Sequence, residues 1–224
     1  MTNKKAFLLR PGSFKEQEGV HPRSCCLPWT LKYIQSLLRE KNIPVKFYDL
    51  KLEGNTIEEA ISLIHKYKPT HIVIQVNSLE YCGCKQLLKR IKNHTQAEVI
   101  LVGQYPTYCH DSSLADISFR GESELAVTEY IITGNRALID ENKLNIVDGL
   151  KELPFPCYEK QELKSYYYPY PLKIRKKVVW GSLLATRGCP YDCIFCTQIL
   201  RESYGKEVRF REVRNVIEEI KYLK

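Results

Sequence analysis

Short apolar runs alternate with helical periodicity over the first part of the chain, and this alternation limits the fold class. Ala6 to Arg10 is an apolar run stopped by Pro11-Gly12, the pattern of a buried parallel strand. Leu31, Ile34, Leu37 and Leu38 repeat at helical spacing, and Val45 to Leu50 reads as the second strand. Thr56 and Glu59 form a capping-box pattern around Ile57, Ala60, Ile61 and Ile64. His71 to Val76 is the third strand, and Leu87, Leu88 and Ile91 mark another helix. Val99 to Val102, ended by Gly103, is the fourth strand, and Ile117 to Phe119 the fifth. Gly121 and a helix from Ser123 to Ile132 follow. Such an order predicts an α/β fold with a doubly wound, parallel, five-stranded sheet of the Rossmann or flavodoxin kind. Right-handed crossovers bring the loops after Arg10, Leu50, Val76, Val102 and Phe119 to one sheet edge, where ligands of such folds sit. None of these loops carries a Gly-x-Gly-x-x-Gly or Gly-Lys-Ser/Thr pattern, which disfavours a nicotinamide or nucleoside triphosphate site.

Composition adds bounds. No apolar run approaches the ~20 residues of a membrane helix, and Met1 to Arg10 lacks the pattern of a signal peptide. Nine cysteines, an odd number without a secretory signal, point to reduced thiols and a cytoplasmic protein. The formal charge of +8 is mostly dispersed. Its densest run, Lys173-Ile174-Arg175-Lys176-Lys177, suits a solvated face or a phosphate-bearing cofactor as well as RNA, so nucleic acid is disfavoured as partner. His65, His71, His94 and His110 are scattered over different elements, and the loop from Pro11 to Pro28 holds His21, Cys25 and Cys26. Cys82 and Cys84 lack the spacing of a zinc knuckle and are assigned no chemistry.

Periodicity fades after Gly134, where Pro154, Pro156, Pro169, Pro171 and Tyr166-Tyr167-Tyr168 suggest a linker whose Leu153, Phe155 and Tyr158 pack against a domain. A β-like segment, Val178 to Thr186, then leads to Cys189-Pro190-Tyr191-Asp192-Cys193-Ile194-Phe195-Cys196. Gly188 and Pro190 bend the backbone, so three thiolates can converge, which selects an iron–sulfur cluster or zinc. No Cys or His follows Cys196, and this suits a four-iron cluster with one open iron; zinc borrowing a distant cysteine is the alternative. Val213, Val216, Ile217, Ile220 and Leu223 form the apolar stripe of a last helix and are expected to face a core.

The cysteine motif resembles that of the radical S-adenosylmethionine enzymes, Cys-x-x-x-Cys-x-aromatic-Cys, and Thr186-Arg187-Gly188-Cys189-Pro190-Tyr191 resembles their lead-in. The resemblance implies that Cys189, Cys193 and Cys196 hold a 4Fe-4S cluster with Phe195 beside it. It also implies that the open iron binds S-adenosylmethionine for reductive cleavage, with the chemistry residing in the cofactor.

The N-terminal loops resemble the cobalamin-binding domain that precedes many radical S-adenosylmethionine cores. Asp49-Leu50-Lys51-Leu52-Glu53-Gly54 is similar to that domain's Asp-x-His-x-x-Gly, with Lys51 at the histidine position. A protonated lysine has no lone pair, so cobalamin is expected without a protein ligand to cobalt from there. Ser78 matches a strand-end serine of the nucleotide-tail pocket. Gly103-Gln104-Tyr105-Pro106-Thr107 and Gly121-Glu122-Ser123-Glu124 are similar to two further loops. The resemblance thus implies Ser78, Gly103, Gln104, Gly121 and Glu122 as cofactor contacts. Asp148-Gly149-Leu150-Lys151-Glu152-Leu153-Pro154-Phe155-Pro156 is similar to the family's linker.

The expected organisation is a cobalamin-binding-like domain (1–134), a linker (135–177) and the first βα unit of a radical S-adenosylmethionine partial barrel (178–224). The implied function is reductive cleavage of S-adenosylmethionine for methyl transfer or related radical chemistry, with a reductant such as flavodoxin or ferredoxin and an unknown small-molecule or peptide substrate. The residues present are expected to be catalytically incomplete, since a barrel needs roughly 200 residues. A non-catalytic cobalamin-binding fragment and a tRNA methylthiotransferase-like protein are the alternatives.

Overall fold

The computed structural model describes residues 4–12, 26–52, 55–109, 115–140, 143–166, 181–196 and 198–224. His21, Cys25, Gly54, His110, Tyr167, Tyr168, Pro169, Pro171, Lys173 to Lys177 and Val178 lie outside them.

Each apolar run of the N-terminal part becomes a strand of one sheet. Strands β1 (Ala6–Arg10), β2 (Val45–Asp49), β3 (His71–Gln75), β4 (Glu98–Val102) and β5 (Ile117–Ser118) pair in parallel in the order β2-β1-β3-β4-β5. Side chains alternate across the strands and load two cores. Phe7, Leu9, Ile72, Ile74 and Leu101 pack under α2 (Ile57–Tyr67) and α3 (Tyr81–His94). Ala6, Leu8, Val73, Ile100 and Val102 pack under α1 (Trp29–Glu40) and α5 (Glu124–Thr133). The direction of winding reverses between β1 and β3, so the loops leaving these strands part and open a crevice at the carboxyl edge.

The capping box at α2 forms by half. Thr56 Oγ1 accepts from the Glu59 N–H at 3.1 Å, but the Glu59 carboxylate accepts from Tyr48 Oη at 2.6 Å. The Thr56 N–H turns to Tyr48 Oη at 3.2 Å, so the tyrosine stands between the two partners.

The segment after α5 packs on the sheet domain. Leu153 joins Tyr33, Leu37, Val147 and Leu150, and Tyr158 joins Leu27, Leu163 and Tyr166. Phe155 stacks obliquely on Tyr222 at 5.9 Å. A short helix, α6 (Lys160–Leu163), supplies Glu162, whose carboxylate meets the fully buried ammonium of Lys32.

Beyond residue 180 the expected strand to Thr186 shrinks. Among the described residues it is β6 (Thr186–Arg187), paired antiparallel with β7 (Arg209–Phe210). Helices α7 (Ile199–Tyr204) and α8 (Val213–Leu223) follow the cysteine loop and β7. Most of the stripe of α8 does not face a core: Val213, Ile217 and Ile220 are exposed, Leu223 packs part-buried against the cluster of Leu27 and Tyr158, and Glu219 is the buried residue of that helix. Glu219 accepts from Tyr158 Oη and pairs with Arg211, and this polar face holds α8 down.

Candidate functional site

A cavity of about 540 Å³ opens at the carboxyl edge of the sheet. Every loop that leaves a strand there contributes to it: Arg10 ends β1, Lys51 follows β2, Asn77 and Ser78 follow β3, Gly103 and Gln104 follow β4, and Gly121 follows β5. Leu27, Pro28 and Trp29 form one side. Ile199, Ser203 and Tyr204 of α7, the helix directly after the cysteine loop, form the opposite wall. Ser78, Gly103, Gln104 and Gly121 are therefore brought together.

Backbone geometry explains the glycines. Gly103 has φ +104°, and a Cβ there would stand 2.9 Å from the Val76 carbonyl oxygen, so the loop cannot carry a side chain without moving. Thr107, on α4 (Gln104–Tyr108), donates to the Gly103 carbonyl at 2.7 Å and accepts from the Gly121 N–H at 3.0 Å. One hydroxyl thus ties two cavity turns together.

The cavity floor carries a charge network. Glu80 is buried; its Oε1 meets Lys51 Nζ at 2.7 Å and its Oε2 accepts from the Asn77 N–H at 2.9 Å. Arg10 donates to the Cys26 carbonyl at 2.6 Å and to Asp49 Oδ2 at 3.3 Å. Asp49 Oδ2 also lies 2.9 Å from Tyr166 Oη. Two cations are matched by two buried carboxylates, as a low-dielectric floor requires. The lysine at the histidine position is thus held by a carboxylate. Sequence reading missed Glu80; the signal was an Asn77-x-x-Glu80 capping box in front of α3.

The cysteine loop stands beside this cavity. Gly188 has φ +99°, and a Cβ there would collide with the Glu207 carbonyl oxygen at 1.9 Å. The Cys189 N–H donates to the Gly205 carbonyl at 3.1 Å, and the Cys196 N–H to the Cys193 carbonyl at 3.0 Å. Cys189, Cys193 and Cys196 are free thiols on one turn. Among the described residues no three His, Cys, Asp or Glu side chains stand gathered to hold a metal, so the sulfurs share a loop without converging. The donor set fits a soft-metal cluster: three thiols with no disulfide, and a Gln198 N–H 3.4 Å from Cys196 Sγ, the kind of contact that tunes a cluster. Phe195 is 89% exposed and does not line the cavity. Tyr108 Oη donates to the Ile199 carbonyl at 2.7 Å and lies 3.0 Å from Ser203 Oγ, which ties α7 to the sheet domain.

Glu122, the remaining residue of the expected cofactor contacts, stands apart from the other four. It is buried, does not line the cavity, and spends its carboxylate on Arg187, Arg209 and the Val147 N–H. The scattered histidines stay apart: His65 is exposed, His71 lies 3.7 Å from Glu98, and His94 bonds the Arg90 carbonyl. Cys84 is buried and Cys82 exposed. No helix of the described residues is long and apolar enough to cross a membrane.

No protein-family model matches the chain. It is 26% identical over 218 residues to an uncharacterized methyltransferase, PH0819, of Pyrococcus horikoshii, covering 88% of this chain and 45% of that protein. It is 24% identical over 212 residues to the hopanoid C-3 methylase of Methylococcus capsulatus, covering 88% and 40%. The radical S-adenosylmethionine methyltransferase TsrM of Kitasatospora setae, solved with tryptophan and a S-adenosylmethionine analogue, superposes with a TM-score of 0.65 at 17% identity, covering 99% of this chain and 45% of that one. A second structure of TsrM, with cobalamin and a [4Fe-4S] cluster bound, gives 0.64. The chain spans under half the length of these proteins. In fold the chain matches radical S-adenosylmethionine methyltransferases that bind cobalamin, and in sequence its relatives are methyltransferases.

Proposed function

We propose that these residues are the cofactor-carrying part of a cobalamin-dependent radical S-adenosylmethionine methyltransferase. The observation that carries the reading is the shared wall: the cavity lined by Ser78, Gly103, Gln104 and Gly121 is closed by the helix that begins three residues after Cys196. Cys189, Cys193 and Cys196 would hold a 4Fe-4S cluster, and the cavity would hold the corrin. Together such groups supply reductive cleavage of S-adenosylmethionine and a methyl carrier. The chain's own residues do three things. Gly103 and Gly121 hold two cavity turns against the Val76 and Asn145 carbonyls, where a Cβ would not fit, Glu80 keeps the Lys51 ammonium engaged, and α7 walls the cavity directly after the cysteine loop. A small electron-transfer protein such as flavodoxin or ferredoxin would supply the electron.

Hydroxocobalamin binding tests this. Trp29 lines the cavity, so bound cobalamin should quench its fluorescence and stay with the chain through gel filtration. Ser78→Trp, which fills the cavity from an exposed position, should abolish both. Equal binding by the variant and the wild type, or no binding by either, would overturn the assignment of this cavity.

A further inference from the structure

Glu122 sits in the turn after β5, yet its partners surround the cysteine loop. Arg187 precedes Cys189 by two residues, and Arg209 is its directly opposed partner across the β6–β7 ladder. Two guanidinium groups facing each other repel, and Glu122 resolves this. Its carboxylate lies 2.7 and 2.8 Å from the two terminal nitrogens of Arg209 and 3.4 Å from Arg187 Nη1. Glu124 accepts from Arg187 Nη2 at 3.0 Å. Burial would lower the Arg187 pKa, but Glu124 and then Glu122 more than reverse this, and it is raised.

The cluster reaches the cavity and the cysteine loop together. Arg209 Nη2 donates to the Tyr204 carbonyl at 2.6 Å, and the Arg187 guanidinium lies 5.2 Å from the Tyr33 ring and 5.7 Å from the Tyr204 ring. Tyr204 walls the cavity, and the next residue, Gly205, accepts from the Cys189 N–H. We propose that Glu122 and Glu124 are positioning residues: through Arg187 and Arg209 they fix the cysteine loop and α7 at one place relative to the cavity, without touching a bound group. The catalytic meaning of this rests on the function proposed above, whereas the placement itself is testable without any cofactor.

The test is hydrogen exchange on the full chain carrying Glu122→Gln, which keeps shape and removes charge. The amides of Arg187, Cys189 and Arg209 should exchange at least about tenfold faster, while those of β1, β3 and β4 keep their wild-type protection. Should that variant not fold, Glu124→Gln removes only one partner of Arg187 and should accelerate the Arg187 and Cys189 amides alone. Unchanged protection at the loop would overturn the proposal, as would equal acceleration throughout the sheet, the mark of a merely structural role. In chain reconstituted with iron, sulfide and cob(II)alamin, and reduced with dithionite so that the cluster carries an unpaired electron, the magnetic interaction between the two centres should be sharp in wild type and broadened in Glu122→Gln at equal iron content. An equally sharp signal in the variant would count against positioning. If neither group binds to wild type, the proposed function fails and the exchange data alone decide the placement.

Discussion

Lys51 Nζ lies 2.7 Å from Glu80 Oε1, and Glu80 is 1% exposed. The pair fixes the loop after β2 against the loop after β3, across the switch point of the sheet. Glu80 also caps the turn at Asn77 and faces Arg10 at 4.0 Å. Glu80→Ala should therefore cost about 3–5 kcal/mol, because it takes the anion from Lys51 and the acceptor from the Asn77 N–H at once. Lys51→Met should cost about 1–2 kcal/mol, since Glu80 keeps the Asn77 N–H. Urea unfolding of both variants checks this order, and equal losses would contradict it.

The same pair makes a spectroscopic prediction. An ammonium held by a carboxylate offers cobalt no lone pair, so cob(II)alamin bound to wild type should show no nitrogen superhyperfine splitting from a protein ligand. Electron paramagnetic resonance reads it directly, and splitting from a protein histidine would contradict the role given to Lys51.

The cysteines should separate under alkylation. Burial pushes the Cys84 thiol up to about 12, so at about pH 8 almost none of it is thiolate. Iodoacetamide should modify the exposed Cys82, Cys109 and Cys196 and spare Cys84. After anaerobic reconstitution with iron and sulfide, Cys189, Cys193 and Cys196 should become protected while Cys82 and Cys109 stay reactive. Peptide mass mapping checks both states.

Two glycines with positive φ should respond differently to alanine. At Gly188 the new Cβ meets the Glu207 carbonyl at 1.9 Å, so Gly188→Ala should displace the cysteine loop and cut iron loading by more than half. At Gly134 the nearest atom is Lys4 Nζ at 3.8 Å, so Gly134→Ala should cost only the left-handed backbone penalty, about 1–2 kcal/mol, with iron loading unchanged. Iron analysis and thermal unfolding of the pair test this.

The sheet was legible in the sequence because β1, β3 and β4 are buried on both faces and read as unbroken apolar runs. The cavity loops were legible too, since Gly103 is demanded by backbone contact rather than by packing. Less visible were residues whose partners are distant in sequence. Glu122 and Arg209 stand 87 residues apart, and nothing local distinguishes them from surface charges. Glu59 looked like one half of a capping box until Tyr48, eleven residues earlier, took its carboxylate. In α8 the apolar stripe promised a core face, but buried Glu219, bound by Tyr158 and Arg211, decides which side packs.

Iron and sulfide content, with the Mössbauer spectrum, tests the central claim most directly. The chain reconstituted without oxygen should hold about four irons per chain in a cubane cluster with one iron distinct on adding S-adenosylmethionine. Cys189→Ala, Cys193→Ala and Cys196→Ala combined should hold almost none. Full iron in the triple variant, or preferential uptake of zinc by the wild type, would contradict the account.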